Sequence, residues 1–263
     1  MSVHGLAMTR FKAASIHFLI SASIVSVIFA VIFFLWYPGP TFRIAGAVSI
    51  VLILVGVDLV LGPTLTLIVY KEGKPGLKFD LVVIALVQLA ALVYGTYTFY
   101  QERPYYMVFA VDRFNLVTEA QIDKSEIRFP ELTEKPFADV IRIFARRPED
   151  DEEFQKFLNS VMFDGQPDLE SRPEYWEPYA NGMDVILQAT KPLEEINRSS
   201  EQDEDRVQRA IARHQDDHPR LGYVPIGTLD EDIGMVMDMD TAEPLGVIDV
   251  DPWPVAEPEP ETP

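Results

Sequence analysis

The chain has 263 residues, no cysteine and a formal net charge of −19. A chain without cysteine forms no disulfide bond, thiolate metal site or cysteine nucleophile. Residues 1–100 contain six basic and three acidic residues, whereas residues 101–263 contain 16 basic and 38 acidic residues. Because such an acidic part repels polyanions, nucleic acid is disfavoured as a partner. The change in charge predicts a domain boundary near residue 100.

Three long apolar segments dominate the first 100 residues, at about 16–36, 45–70 and 81–99. A helix rises about 1.5 Å per residue and the hydrocarbon core of a bilayer is about 30 Å thick, so each segment is long enough to cross it. The first segment is longer than the apolar core of a secretory signal and ends in Trp36, Tyr37 and Pro38, which favours an uncleaved anchor. We therefore expect a short N-terminus over 1–14 and a three-span region over 15–100.

The basic residues of this region predict its orientation. Most of them precede the first span or lie between the second and third: Arg10, Lys12, Lys71, Lys74 and Lys78. The loop between the first two spans offers only Arg43. Because basic residues accumulate on the cytoplasmic side, we expect a cytoplasmic N-terminus and an extracytoplasmic segment after Tyr100. In a bacterium this means the inner membrane and the periplasm.

The remainder predicts a small α+β domain over 101–251. Strands are indicated by β-branched and aromatic residues at Tyr105–Val117 and Val140–Ala145, and a hairpin by Ile233–Met239 and Leu245–Val250. A helix is predicted after Pro148, with an apolar stripe at Phe154, Phe157, Leu158, Val161 and Met162. The tail 252–263 is rich in Pro and Glu and is expected to be disordered.

Asp58 is the most informative single residue, since it lies near the middle of the second span. A carboxylate at that depth costs about 2.5–3.5 kcal/mol on insertion scales and normally faces protein or water. Counted from the lysine-rich turn, Gln88 of the third span lies within about one helical turn of the same depth. We expect Gln88, or Ser23 or Ser26 of the first span, to donate to Asp58. Two interpretations stay open: a packing polar group, or a docking point for a partner helix or a proton.

Pro63 and Gly62 follow Asp58 in the same span. Proline has no N–H, so it should loosen the helix one turn before it. Glycine lets a neighbouring helix approach closely. Gly62 is a weaker signal than Pro63, because glycine is common in membrane helices.

Metal and catalytic motifs are incomplete. His214 and His218 have the i, i+4 spacing of a zinc helix, but Gln215 replaces the glutamate base of that motif and a third ligand is missing, so a solvated helix end is favoured. Asp238, Asp240, Asp249 and Asp251 lack the glycine-containing loop of a calcium site. We expect no catalytic residue, no metal and no cofactor, and therefore no enzyme.

Several strings together resemble the type IV pilin accessory protein family of the TfpX/TfpZ type. They are RFKAA at 10–14, IH at 16–17, LWYP at 35–38, VGVDLVLGP at 55–63, GLKFDL at 76–81, QLAALVYG at 88–95, PY at 104–105, VF at 108–109, VDRF at 111–114 and DPW at 251–253. The resemblance is dense over the spans and reaches the outer domain chiefly at its two ends.

The resemblance implies an inner-membrane protein that supports assembly of a partner type IV pilin, as a pilin-specific chaperone or assembly modulator. Its partners would be that pilin and the pilus assembly machinery. The residues that it implies for partner binding are Asp58, Gly62, Pro63, Gln88, Asp112 and Arg113. Two alternatives stay open, namely a periplasmic sensor and a small carrier built on Asp58.

Overall fold

The computed structural model describes residues 9–37, 41–46, 48–134, 137, 139–228 and 232–254. The sequence predicts a disordered tail over 252–263, and residues 255–263 of this tail lie outside the described part of the chain. The chain forms two compact units, which are Met1–Tyr37 with Ala47–Arg103, and Pro38–Gly46 with Pro104–Pro263. The second unit therefore includes the segment between the first two apolar helices.

Within the described residues, the first unit contains three helices long and apolar enough to cross a membrane: Arg10–Trp36, Val51–Val69 and Leu77–Gln101. We call them the first, second and third apolar helices. Thr9 caps the first, because its hydroxyl accepts a hydrogen bond from the Lys12 N–H at 3.2 Å. Val25, Leu54 and Leu92 form a buried cluster, one residue from each helix.

Two stretches of these helices are π-helical, with i→i+5 backbone hydrogen bonds. Ile32–Trp36 ends the first apolar helix. In the second, Gly56–Leu61 separates the α-helical segments Val48–Val55 and Gly62–Val69. A π-turn inserts one extra residue into a helix and so re-aims the side chains around it.

The second unit is built on a mixed sheet, which confirms the α+β prediction. The described strands are β1 Pro104–Ala110, β2 Arg113–Thr118, β3 Ile141–Ala145, β4 Trp176–Pro178, β5 Lys191–Pro192, β6 Leu221–Gly227, β7 Asp232–Asp238 and β8 Pro244–Ile248. Their order is β4-β3-β1-β2-β6-β7-β8, and β5 pairs with β6. The pairs β1–β3 and β2–β6 are parallel and the other pairs are antiparallel.

Helices cover this sheet. They are α1 Thr41–Ile44, α2 Asp151–Phe163, α3 Met183–Ala189 and α4 Glu201–His214, with 3₁₀ turns between several strands and helices. The helix predicted after Pro148 is α2, whose first turn is capped by Asp150 accepting from the Glu153 N–H at 3.0 Å. The predicted hairpin is β7–β8, in which Gly234 lies opposite Ile248.

The single strand predicted over Tyr105–Val117 is wrong, because the chain reverses in its middle. Ala110 and Arg113 face each other at the end of a hairpin formed by β1 and β2. Val111 adopts φ 60°, and the Asp112 N–H donates to the Ala110 carbonyl at 2.8 Å. A β-branched residue rarely takes this conformation. The glycine or asparagine that usually marks such a hairpin turn is also missing from residues 110–113.

Ile44 of α1 belongs to the core of the sheet domain. It is 1% exposed and packs in a cluster that includes Met107, Phe109 and Val224. Ile44 precedes the second apolar helix in the sequence, and it completes a core formed by strands that follow the third apolar helix.

A candidate site buried among the apolar helices

Asp58 and Gln88 form a buried polar pair among the apolar helices. Asp58 is 3% exposed and Gln88 is 7% exposed. The Gln88 Nε2 group donates to the Asp58 carboxylate oxygen Oδ1 at 3.3 Å, as expected from the depths of the two residues. The same Nε2 group also donates to the backbone carbonyl of Asp58 at 3.3 Å. The pair therefore ties the second apolar helix to the third by side-chain and backbone contacts.

Pro63 explains why the Asp58 carbonyl needs an external donor. In the π-helical stretch, the Gly62 N–H donates to the carbonyl of Val57, five residues earlier. The N–H that would continue this pattern to the Asp58 carbonyl belongs to residue 63, and proline has none. Gln88 supplies the missing donor, so the loosening predicted at Pro63 is compensated from the neighbouring helix.

Gly62 gives Gln88 the space to reach that carbonyl. A Cβ atom built at Gly62 would overlap the side-chain amide of Gln88. At Gly56, by contrast, a Cβ atom would meet nothing within 4 Å. Only Gly62 of these two is thus required for the close approach of the third helix.

The donors expected from the first helix, Ser23 and Ser26, are wrong. Ser23 donates to the Leu19 carbonyl of its own helix at 2.8 Å, and Ser26 is exposed. The first helix instead presents His17 and Ser21 to the cavity beside Asp58 and Gln88. His17 Nδ1 lies 2.6 Å from the Thr66 hydroxyl of the second helix. The i, i+4 spacing of His17 and Ser21 was the available signal for this face.

Asp112 and Arg113 lie in the second unit, at the β1–β2 turn. Arg113 donates from Nη1 to Asp232 at 2.8 Å and from Nε to Asp112 at 3.1 Å. Its guanidinium carbon is 4.7 Å from the centre of the Trp253 ring, and Trp253 Nε1 also donates to Asp232 at 2.8 Å. The VDRF string at 111–114 and the DPW string at 251–253 therefore meet around one carboxylate, although they are far apart in the sequence.

A cleft of about 460 Å³ adjoins this turn and is lined by Asp112, Arg113 and Glu170. Burial raises the pKa of Glu170 above its usual value, and the nearby Asp168 carboxylate acts in the same direction. The binding role predicted for Asp112 and Arg113 stays a prediction, since their contacts within the domain account for their positions.

The histidine pair has a structural explanation. His218 Nδ1 lies 2.7 Å from the Asp238 carboxylate, and the His214 ring lies 6.5 Å from the His218 ring between centroids. Within the described residues, no group of three or more His, Asp or Glu side chains is arranged to hold a metal ion.

Arginines on α4 line the cleft between this helix and β8. Arg206, Arg209 and Arg213 border a volume of about 390 Å³ in a domain that is otherwise strongly acidic. Arg206 is held by Asp203 and Asp249. The i, i+3, i+7 spacing of the three arginines was visible in the sequence but was not singled out there.

An acidic side chain buried among three bilayer-length helices, followed by a mixed-sheet domain, defines a small protein of membrane-spanning type. The chain matches the family model "Fimbrial assembly protein FimB" over residues 6–46. The fimbrial assembly protein of serogroup I from Dichelobacter nodosus is 31% identical over 201 residues, which cover 73% of this chain and 77% of that protein. The chain belongs to this family of fimbrial assembly proteins, which confirms the resemblance to the pilin accessory family.

Two further relatives come from the same organism. The serogroup E1 protein is 31% identical over 201 residues, with the same coverage of both chains. The protein of serogroups C1 and C2 is 34% identical over 119 residues, which are 44% of this chain and 90% of that protein. No solved structure is significantly similar to the chain.

Proposed function

We propose that this protein supports the assembly of a partner type IV pilin into pili, as a pilin-specific accessory protein of the bacterial inner membrane. The observation that carries the proposal is the similarity to proteins named as fimbrial assembly proteins over about three quarters of their length. The proposal includes no catalytic step, metal or cofactor. Its partners are the pilin and, through it, the pilus assembly machinery.

The two units of the chain suit the two parts of a stored pilin. A pilin waiting in the membrane has an apolar helix in the bilayer and a globular head outside. The apolar helices of this chain offer large exposed side chains along their length, among them Leu52, Val60 and Leu86. We assign these surfaces to shielding the pilin helix and the sheet domain to contact with the head. The acidic surface of the domain would speed encounter with basic patches of the pilin.

The proposed orientation places the N-terminus in the cytoplasm and the sheet domain in the periplasm. Two features support it. Basic residues cluster before the first helix and in the turn between the second and third. The segment Pro38–Gly46 also groups with Pro104–Pro263. If each apolar helix crosses the membrane, the second and third helices lie between these two segments, and two crossings return the chain to the same side. A periplasm-specific reporter fused after Pro263 should be active, and the same reporter inserted in the turn at Gly73 should be silent.

A deletion strain tests the function. Loss of surface pili with an unchanged level of pilin transcript is the expected result. A changed transcript would favour the sensor instead, and unchanged pili with unchanged transcript would overturn the accessory role.

Complementation with point variants tests the buried pair. Asp58→Asn and Asp58→Leu should each reduce surface pili at equal protein level. Asp80→Asn is the matched control, because Asp80 lies in the first turn of the third apolar helix and pairs with the exposed Lys74, away from the buried pair. Full piliation with both Asp58 variants would remove Asp58 from the mechanism.

Crosslinking tests the contact with the pilin. A photoreactive residue at Val60, which is 57% exposed on the second helix, should capture the pilin in wild-type cells. The same residue at Phe163, which is 75% exposed on α2, samples the sheet domain. Adducts without pilin at both positions would contradict the proposal.

A further inference from the structure

A cavity of about 140 Å³ lies beside the buried pair. Its polar lining consists of His17, Ser21, Asp58 and Gln88. At roughly 30 Å³ of liquid volume for each molecule, this volume corresponds to about five water molecules. The cavity is therefore large enough for one small polar group with the first atoms of its stem.

Two buried oxygen atoms at this cavity lack a hydrogen-bond partner. They are Asp58 Oδ2 and Gln88 Oε1, and neither has a partner among the described residues. The orientation of the Gln88 amide is fixed, because its Nε2 group already donates to the carbonyl and the carboxylate of Asp58. Gln88 Oε1 is consequently an acceptor, and Asp58 Oδ2 is an acceptor in the ionised carboxylate. A buried acceptor left without a donor is costly, and such atoms normally have a partner.

The chemistry of these atoms selects the ligand. Two acceptors, one of them a carboxylate oxygen, match a group that only donates. A protonated amine carries three donors and no acceptor, and its charge strengthens each hydrogen bond to a carboxylate. Since the surroundings are apolar, a positive charge would also balance Asp58 more effectively than a hydroxyl or an amide could.

The mouth of the cavity indicates where the ligand comes from. Its apolar lining includes Ile20, Ile24 and Leu89, whose side chains are 56%, 47% and 55% exposed. These residues lie on the outer faces of the first and third apolar helices. In a membrane, those faces meet hydrocarbon, so a ligand entering between them would be carried on another apolar segment.

We propose that this cavity binds a protonated amine carried by the membrane-embedded segment of a partner protein, with Asp58 and Gln88 as the acceptors. The assignment of that partner as the pilin rests on the proposed function. The amine would complete the hydrogen bonding of the pair, so recognition would depend on one polar group in an otherwise apolar contact.

A synthetic membrane helix tests the site on the full-length protein in lipid nanodiscs. The probe is an apolar 20-residue Leu/Ala helix with one central lysine, and its matched control has norleucine at that position. Energy transfer between labels on helix and protein reports binding. We expect the lysine helix to bind at least tenfold more tightly, and Asp58→Asn to remove most of that difference. Equal binding of the two helices would overturn the proposal and leave water as the occupant.

A second pair of variants tests the cavity while Asp58 is unchanged, so the result does not depend on whether the Asp58 variant folds. Ala85 lines the cavity and is exposed, so Ala85→Leu should block it without disturbing the buried pair. Ala90→Leu makes the same change at an exposed position of the same helix that does not line the cavity. The preference for lysine should disappear in the first variant and persist in the second. Its persistence in both would contradict the assigned cavity.

The outcome is separable from that of the proposed function. A lysine preference together with normal piliation of the deletion strain would leave the site intact and overturn the function. Loss of pili without any lysine preference would do the reverse.

Discussion

Gln88 connects the second and third apolar helices through a single side-chain amide. One Nε2 group donates both to the carboxylate oxygen Oδ1 and to the backbone carbonyl of Asp58, and it can do so only because Gly62 has no side chain. The amide therefore links a helix defect, a buried acid and a close helix approach. Each of the three is costly alone, and the contact offsets all three together.

Gly62→Ala should destabilise the protein because the new methyl group displaces the Gln88 amide from Asp58. We expect a loss of about 1–3 kcal/mol in the free energy of unfolding, measured in detergent micelles. Gly56→Ala is the control, since its methyl group meets nothing within 4 Å, and it should change stability by less than about 0.5 kcal/mol. In a Gln88→Ala background the cost of Gly62→Ala should shrink. Equal effects at the two glycines would contradict this account.

Asp238 should make the sheet domain sensitive to acid. Burial raises the pKa of this carboxyl group, but hydrogen bonds from His218 and from the N–H groups of Asp240 and Thr241 outweigh burial and hold the pKa below its usual value. A lowered pKa in the folded state stabilises the protein above the unfolded pKa of about 3.9. That contribution is lost as the pH falls through the folded value.

Asp238→Asn should therefore cost more at pH 7 than at pH 3. We expect about 1–3 kcal/mol at pH 7 in the unfolding free energy of the full-length protein, and a smaller difference at pH 3. Asp216→Asn, at an exposed position near the end of α4, should show no such dependence on pH. A cost that is the same at both pH values would contradict the role of the charge.

At the scale of the element, the π-helical stretch Gly56–Leu61 and Pro63 act as one unit. The wide turn places Asp58 inside the bundle, and the proline leaves its carbonyl open to Gln88. Defects of this kind persist when their surroundings compensate them, and they are frequent at functional sites.

Restoring the N–H at position 63 should make Gln88 less important. Gln88→Ala in the wild-type protein leaves the Asp58 carbonyl without a donor and should cost about 1–3 kcal/mol. In a Pro63→Ala background, the backbone can supply that donor, so Gln88→Ala should cost measurably less. A double-mutant cycle on the unfolding free energy checks this coupling, and strict additivity would refute it.

Elements governed by local pattern were predictable from the sequence. Length and apolarity indicated the three long helices, the apolar stripe of Phe154 and Phe157 indicated α2, and alternation with a turn indicated the β7–β8 hairpin. The contact between Gln88 and Asp58 followed from counting depth along two helices. Each of these features depends on the spacing of residues along the chain, which can be read directly from the sequence.

Features governed by orientation or by distant packing were not predictable. Depth alone does not give rotation about the helix axis, so it points to Ser23 or Ser26 as alternative donors, although Ser21 is the serine that lines the cavity. The reversal at Val111 runs against the local preference of valine, because its φ of 60° is rare for a β-branched residue. The meeting of Arg113 with Asp232 and Trp253 required the complete sheet order.

At the scale of the whole molecule, the sheet domain is built from two parts of the chain. Ile44 lies in its core, although two apolar helices separate it in sequence from β1. The change in composition near residue 100 predicts a domain that begins there and therefore leaves out the segment around Ile44. This segment is too short to be recognised by its composition.

Ile44→Ala should destabilise the sheet domain by about 2–5 kcal/mol, since it opens a cavity at a position that is 1% exposed. Ile44→Val should cost only about 0.5–1.5 kcal/mol. In a Trp36→Phe background, the remaining tryptophans Trp176 and Trp253 both lie in the sheet domain, and their fluorescence during unfolding of the full-length protein reports the change in this domain. An unchanged transition for Ile44→Ala would mean that the segment does not contribute to the core.

The position of Ile44 also imposes an order on biosynthesis. The ribosome makes this residue before the second and third apolar helices, yet β6 and β7, which pack in the same core cluster, are among the last parts of the chain to emerge. Folding of the sheet domain must therefore wait until both helices have been synthesised, and the nascent loop remains unprotected during that interval. Pulse-labelled chains released before β6 should accordingly stay open to protease at α1, whereas completed chains become resistant there.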